Sequence, residues 1–199
     1  MVAKFTELAV INEALAMCGI ATVADLVSPT RQDVIKAQET LTEVLHMIAT
    51  TRNYYNRYEK ITLTPNVSDE IDIADDVFDV ELRDDSRQVI VKNAKLYDLT
   101  NNTFTFTDSS VEADVTYHLG LDDLPEVIKR YVTYALARKL YLKLFGPSPH
   151  LQVLAAEEKM AYDTMQRWEL ESMDANMINH VDRRRIWDSP RRAGSYKGR

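Results

Sequence analysis

The spacing of apolar residues along the chain predicts four amphipathic helices. They are expected over about residues 6–18, 29–51, 125–144 and 149–172, because apolar side chains recur there at intervals of three and four. Proline opens the last three segments, and glycine follows the first and third. The predicted inward positions are Leu8, Ile11, Leu15 and Cys18; Val34, Ala37, Leu41, Val44 and Ile48; Val127, Ile128, Tyr131, Tyr134, Ala135, Arg138 and Leu142; and Leu151, Leu154, Ala155, Tyr162, Met165 and Trp168.

Between the second and third helices the pattern changes to a period of two. Within residues 54–120, apolar residues alternate with polar or acidic ones, which is typical of antiparallel strands with one face in water. Asn101-Asn102 is predicted to form a tight hairpin turn between 96–100 and 103–107, because asparagine tolerates positive φ. The alternating positions are Ile61 and Leu63; Phe78, Val80 and Leu82; Phe104 and Phe106; and Ala113, Val115, Tyr117 and Leu119.

Two helix pairs with one apolar stripe per helix bury those stripes most simply by packing together. The predicted fold class is therefore α+β: a four-helix bundle with an antiparallel β-sheet domain inserted between helices 2 and 3, plus an extended C-terminal arm. The expected segments are residues 1–53 for the first half of the bundle, 54–120 for the β-domain, 121–180 for the second half of the bundle, and 181–199 for the arm.

The distribution of charge separates the end of the chain from the rest. The 199 residues carry a formal net charge of −7. Residues 181–199 contain seven Lys/Arg and two Asp, a net charge of +5, so the preceding 180 residues carry −12. Such an asymmetry is typical of an interaction arm attached to a folded body.

The basic segment has three possible interpretations. Its cations, together with Trp187 and Tyr196, are suited to following a nucleic-acid backbone by charge and stacking. The segment could instead be a disordered tail that only increases solubility. In the third interpretation it is an arm that buries Trp187 in a partner, since Trp and Arg dominate interface hot spots.

The sequence contains no motif for catalysis or for cofactor binding. Three of the five glycines lie at the ends of predicted elements and two in the tail, so no phosphate-binding loop is present. No Ser, Cys or Thr lies in a nucleophile motif. The four histidines fall on different predicted elements without ligand-like spacing: His46, His118, His150 and His180. We therefore expect no catalytic residue, no metal and no cofactor.

The lone cysteine, Cys18, rules out a disulfide within the chain and fits a reducing compartment. We expect it to be a small apolar group on a helix face. The N-terminal apolar run contains acids and has no small-residue cleavage site, which predicts a helix rather than a signal peptide. No stretch approaches the ~18 apolar residues of a membrane-spanning helix, so no membrane anchor is expected.

Residues 69–85, DEIDIADDVFDVELRDD, are the most acidic stretch of the chain. A pair of their carboxylates could cleave a glycosidic bond, or the stretch could bind calcium, although the D-x-[DN]-x-[DN]-G spacing is absent. Alternation with Ile71, Ile73 and Phe78 favours a third interpretation, the solvent face of a strand. Glu157-Glu158 is likewise expected on the solvent face of the fourth helix.

Three segments carry a resemblance to a known family. Residues 7–26, ELAVINEALAMCGIATVADL, are similar to an opening helix A-V-N-x-x-L-x-x-I-G and the short loop after it. Residues 51–66, TRNYYNRYEKITLTPN, resemble S-R-G-W-x-F-N followed by an I-T-L-x-P strand, with Asn53-Tyr54 in place of Gly-Trp. Residues 121–161 are similar to a D-x-x-P-E helix start, an R-x-F/L-x-x-x-F-F-G helix end and a following E-E-x-x-A. The matching positions in the second segment are Arg52, Asn56 and Pro65.

With this order and spacing, residues 7 to about 175 resemble the tail tubular protein A family, the head-to-tail adaptors of short-tailed phages. The resemblance implies a non-enzymatic structural protein of the virion tail, assembled in the host cytoplasm. It also implies a twelve-fold ring below the portal, with the tail nozzle beneath and DNA passing through without sequence-specific binding. C-terminal segments in the family reach along the portal. The portal-binding arm is therefore expected to use Arg183, Arg184, Arg185, Ile186, Trp187, Arg191, Arg192 and Tyr196.

Two alternatives compete with this assignment. One is a tail-associated hydrolase of envelope glycans that uses acidic residues of the β-domain. The other is direct contact between the arginines of the arm and the passing DNA duplex. The charge of −12 on the body disfavours DNA contact by the ring wall, where repulsion instead keeps DNA sliding.

Overall fold

The computed structural model describes residues 5–27, 30–51, 55–83 and 87–177. Two helices are followed by five strands and then by two further helices. Their bounds are α1 (Glu7–Met17), α2 (Gln32–Ala49), β1 (Arg57–Leu63), β2 (Val77–Leu82), β3 (Val89–Lys92), β4 (Lys95–Asp98), β5 (Val111–Tyr117), α3 (Glu126–Phe145) and α4 (Pro149–Met177). The predicted α+β class, with antiparallel sheet between the second and third helices, is confirmed. The division into four segments remains a prediction.

Helix α3 is the centre of the helical part, because α1, α2 and α4 all pack against it. At 100° per residue, its buried positions cover roughly two thirds of the helix circumference. They are Ile128, Lys129, Tyr131, Val132, Thr133, Ala135, Leu136, Ala137 and Leu140. The expectation of one apolar stripe per helix was therefore wrong for α3. Leu142, which was expected inside, is 44% exposed, whereas Leu136 is fully buried.

Helix α4 packs mainly against α3 and is buried along a narrow strip formed by Leu154, Ala161, Met165 and Glu169. The predicted inward positions Ala155 and Tyr162 are exposed, because a helix with one neighbour has only one narrow face to bury. The helix also continues five residues beyond the predicted end at residue 172.

The main sheet is antiparallel, with the strand order β1-β5-β2. A register shift between Val77 and Asp79 changes the alternation in β2. As a result Phe78, which was expected inside, is 40% exposed, while Val80 and Leu82 are buried as predicted. A second shift follows Tyr58 in β1, where Lys60 has a φ of 60°. Such bulges place an extra residue on one strand and reverse the inward and outward positions beyond it.

Strands β3 and β4 form a separate hairpin that the sequence pattern did not predict. Its turn residues, Asn93 and Ala94, both have a φ of 55°. Positive φ at both central residues is typical of the tight turns that suit hairpins. Alanine is uncommon there, so the sequence lacked the usual Asn-Gly or Asp-Gly signal.

The predicted turn at Asn101-Asn102 is present. Asp98 and Thr103 exchange backbone hydrogen bonds of 2.8 and 3.2 Å across it, and Asn102 has a φ of 54°. However, the predicted strand over 103–107 is reduced to the isolated bridges Asp98–Thr103 and Glu70–Thr105. The first expected strand, 96–100, corresponds to β4, which ends at Asp98.

The described residues contain two clusters of buried apolar side chains. The larger lies among the four helices, and the smaller lies on the inner face of the sheet. Ile71, Leu96 and Phe106, from the loops and the hairpin, complete the second cluster together with strand residues such as Val115. The hydrophobic stabilisation of the helices and that of the sheet therefore come from different sets of residues.

The packing of α3 generates a direct test. Leu136→Ala should lower the free energy of unfolding by about 2–5 kcal/mol, because it leaves a cavity in the core of the helical part. Leu142→Ala on the same helix should change it by much less, about 0.5 kcal/mol, because that side chain is 44% exposed. Urea unfolding of both variants measures the difference. Equal losses for the two leucines would contradict the central placement of α3.

Candidate functional site

The residues predicted to bind a portal lie outside the described residues. These are Arg183, Arg184, Arg185, Ile186, Trp187, Arg191, Arg192 and Tyr196, and their role remains a prediction. His180 also falls in this part. The structure does place the other candidate residues, and it adds contacts that the sequence analysis missed.

Asn12 on α1 holds the loop that follows the helix. Its side-chain Nδ2 donates to the carbonyl oxygen of Val23 at 2.8 Å, and its Oδ1 accepts from the Val23 amide at 2.8 Å. The side-chain amide thus forms hydrogen bonds with both the N–H and the C=O of one residue, as a neighbouring strand does in a β-sheet. The loop after α1 is thereby fixed against the helix.

Asn56 connects the helical part to the sheet. Its side-chain Nδ2 donates to the carbonyl oxygens of Thr51 at 3.1 Å and of Ala49 at 3.5 Å, at the end of α2. Its own carbonyl oxygen accepts from the Tyr117 amide of β5 at 2.8 Å. Asn56 is 1% exposed, so its polar side chain is satisfied by backbone partners rather than by solvent.

Two histidines meet beside this junction. The rings of His46, near the end of α2, and His118, just after β5, have centroids 6.1 Å apart. Sequence spacing gave no sign of this approach, because the intervening sheet brings the two positions together. Both side chains are exposed. Within the described ranges, no group of three or more His, Cys, Asp or Glu residues could hold a metal ion.

Arg138 on α3 and Glu158 on α4 form an ion pair between the two helices. The guanidinium Nη2 donates to Glu158 Oε1 at 3.2 Å, and its Nε donates to Oε2. Glu158 was expected on the solvent face of α4, but its side chain is only 13% exposed. That expectation was wrong for Glu158. Glu157 is exposed as predicted. Burial, and then the negative charge of Glu158, raises the pKa of the neighbouring Tyr131.

Asp114 is the centre of a charged network on the outer face of the sheet. Its carboxylate accepts from Arg83 Nε at 2.5 Å and from Arg57 Nη2 at 2.9 Å. Glu81 and Glu59 pair with the same two arginines at the edge of the network. Burial of Asp114 opposes its ionisation, but the hydrogen bonds from Arg83 and Arg57 outweigh burial and lower its pKa. The sequence pattern missed this network because only the strand register brings the charges together.

The acidic stretch follows its preferred interpretation only in part, because its strand, β2, begins at Val77 and Phe78 is exposed. Ile71 and Ile73 are buried in the sheet cluster, while Asp75 and Asp76 are exposed. Glu70 pairs with Lys95 Nζ at 2.5 Å. These acids flank buried apolar residues at the surface of the sheet domain, and the described ones do not converge on a metal site.

Cys18 is buried at the end of α1, as expected of a small apolar group. Its Sγ donates to the carbonyl oxygen of Ala137 on α3 at 3.4 Å. Burial raises the pKa of the thiol to about 11, so the group stays protonated at neutral pH. Its function is therefore packing.

A cleft of about 490 Å³ lies between the first half of α3 and the middle of α4. Met160, on its α4 side, is 70% exposed although it is apolar. The lining residues are Phe5, Glu126, Val127, Arg130, Tyr134, Glu157, Met160, Ala161 and Thr164. Sequence reasoning missed this cleft, because it depends on how far apart the two helices lie rather than on a motif.

The described part of the chain has no helix long and apolar enough to cross a membrane. The long helix α4 instead has isolated apolar side chains on its surface, with Val153 55% and Leu170 62% exposed. Such side chains are normal singly on a protein surface. On a helix that packs mainly against one neighbour, they leave much of its length open to a partner.

The structure is that of an α+β protein in which polar side chains such as Asn56 and Arg138 connect neighbouring elements. The family model for the tail tubular proteins matches residues 8–175. The chain therefore belongs to the tail tubular protein family, and it is a structural component of a phage tail. Among curated proteins, none matches the chain significantly.

The residues within the three resembling segments now have structural roles. Asn12 holds a loop, Asn56 joins helix to sheet, and Arg138 with Glu158 joins α3 to α4. Within the described residues, each buried side-chain nitrogen or oxygen has a hydrogen-bond partner.

The Asp114 network predicts a specific dependence on pH. Because its pKa is lower in the folded state, ionised Asp114 stabilises the fold above about pH 4, and the contribution is lost as the carboxyl is protonated at lower pH. Asp114→Asn should cost about 1 kcal/mol of unfolding free energy at neutral pH, a discounted value for a partly exposed network. The difference in unfolding free energy from the unmodified protein should shrink as the pH falls below about 4 and the carboxyl becomes protonated, as measured by urea unfolding.

The matched control is Glu112→Gln on the same strand and the same face. Glu112 is exposed, so its substitution should leave stability almost unchanged at each pH. If Asp114→Asn lowered the unfolding free energy as much in acid as at neutral pH, the loss of stability would come from altered packing rather than from the lost charge.

Proposed function

We propose that this protein is a head-to-tail adaptor that forms a ring joining the portal to the tail nozzle. The observation that carries the proposal is membership of the tail tubular protein family over residues 8–175. In the proposal, twelve copies form the ring, the nozzle protein docks on the side away from the portal, and DNA passes through the centre. Assembly takes place in the host cytoplasm, before the tail is complete.

The described body supports this role by its construction. Hydrogen bonds of Asn56 connect α2 to the sheet, and the Arg138–Glu158 ion pair connects α3 to α4. These contacts fix the helices and the sheet relative to one another. A ring subunit needs such fixed relations, because head-to-tail contacts close only when two different patches are held at the right rotation. The exposed length of α4 provides surface for such contacts.

The basic segment after residue 180 is the proposed portal-binding arm. Its net charge of +5 suits an acidic or groove-bearing portal surface, with Trp187 as the buried anchor. Each arm can be weak by itself, because copies held together in a ring bind with a high effective concentration. The charge of −12 on the preceding residues suits a channel wall that repels DNA and lets it slide.

Ring formation should depend on the portal. We expect largely monomeric protein at micromolar concentration and a closed ring once purified portal is added, because isolated head-to-tail contacts are weak until a template aligns them. Light scattering and negative-stain images measure both states. A stable closed ring without portal would contradict the template step but not the adaptor assignment.

Removal of Val181 to Arg199 should abolish portal docking and leave the melting temperature nearly unchanged, because the predicted arm adds little to the core. Trp187→Ala should weaken docking by about 2 kcal/mol per subunit if the indole is a buried anchor. Replacing Arg191 and Arg192 by Ala should mainly slow association and reduce its dependence on salt. A pull-down and binding kinetics with immobilised portal measure these effects.

Lys197→Ala is the matched control for the arm, since it removes one cation at a position outside the predicted binding residues. It should have little effect on docking. The competing DNA interpretation predicts the opposite result for the truncation: portal docking survives, while affinity for duplex DNA falls in a gel shift. That result would remove the arm from the proposal.

A further inference from the structure

The cleft between α3 and α4 combines apolar walls with exposed acidic groups. Val127 and Tyr134 lie on its α3 side and Met160 on its α4 side, with Met160 70% exposed. Glu126 and Glu157 are exposed on the same cleft, and neither forms an ion pair with another described residue. A volume of about 490 Å³ lies in the usual range of roughly 300–1,000 Å³ for ligand pockets.

We propose that this cleft holds the chain's own basic segment, residues 183–192, in the free protein. The sequence there is RRRIWDSPRR, which places one apolar pair, Ile186-Trp187, between two groups of arginines. In this arrangement the indole of Trp187 lies against Met160, with arginines on either side near the acidic groups of the cleft. Aromatic side chains and arginine are the residue types that most often anchor such contacts.

Charge favours this occupant over an uncharged one. The segment 183–192 carries five arginines and one aspartate, whereas the cleft carries two carboxylates, Glu126 and Glu157, and one guanidinium, Arg130. The cleft is therefore acidic by one net charge and lies on a body that is acidic overall. Such pairs at a surface add modest affinity and strong preference for a basic partner.

The length of chain after α4 permits the contact within one molecule. From Met177 back to Met160 along the helix is about 25 Å at 1.5 Å per residue. The ten residues from Met177 to Trp187 can span at most about 33–36 Å when extended. Trp187 can therefore return to the cleft of its own chain, and the tether gives the contact a high local concentration.

The fluorescence of Trp187 tests the proposal on the full-length protein without the portal. The chain has two tryptophans, Trp168 and Trp187, so subtracting the signal of Trp187→Phe isolates that of Trp187. We expect the isolated signal to be shifted to shorter wavelength, and its quenching by acrylamide to be several-fold weaker than in urea-unfolded protein. Met160→Glu should restore strong quenching, since it adds a charge where the indole is placed.

Two controls separate the cleft from general effects. Val153→Glu adds the same charge at another exposed apolar position of α4, outside the cleft, and should leave the quenching unchanged. Glu157→Lys should increase the quenching, whereas Glu171→Lys, on the same helix but away from the cleft, should not. Circular dichroism should show the same helical content for all four variants, because all four positions are exposed.

Several results would overturn the proposal. Trp187 in the unmodified protein could be quenched as strongly as in urea, or Met160→Glu and Val153→Glu could have equal effects. Protection that rises with protein concentration, together with dimers in light scattering, would mean that a second copy supplies the segment. The experiment needs no portal, so its failure is separate from any failure of the portal-docking proposal.

Discussion

The burial of α3 is the constraint on which the rest of the structure depends. This helix is the surface against which α1, α2 and α4 all pack, so the first and second halves of the helical part share one core. The two halves are separated in sequence by the whole sheet region. Their association closes a loop of more than seventy residues, and the entropy cost of that loop is recovered only when α3 is covered on all three sides.

The periodic pattern of apolar residues was sufficient to predict the four helices, their order and the position of the sheet. It failed where burial depends on more than one neighbour. Val132, Leu136 and Leu140 were missed because α3 is covered on several sides, and no single stripe describes such a helix. Phe78 was placed on the wrong face because a bulge cannot be read from alternation alone.

Polar contacts were predicted less well than apolar packing, for a similar reason. Glu158 was expected in water because its position on the predicted helix lies on the solvent face, yet α3 places Arg138 opposite it. Asp114 gave no signal, because one of its arginine partners, Arg57, begins β1 and the other, Arg83, directly follows β2. The cleft was also missed, since its walls come from helices whose separation is set by the core. Residue type alone indicates what a side chain can bind, but register and helix separation decide what it meets.

The unequal lengths of the last two helices have a mechanical consequence. Helix α4 has 29 residues and α3 has 20, so α4 is longer by about 13 Å. A pull along the axis of α4 from its C-terminal end would have to slide it past α3. That movement loads the Arg138–Glu158 pair and the apolar strip from Leu154 to Met165 all together, in shear, rather than one contact after another. A body joined in this way yields far less readily to tension along its axis than to a sideways pull that peels the same helix away.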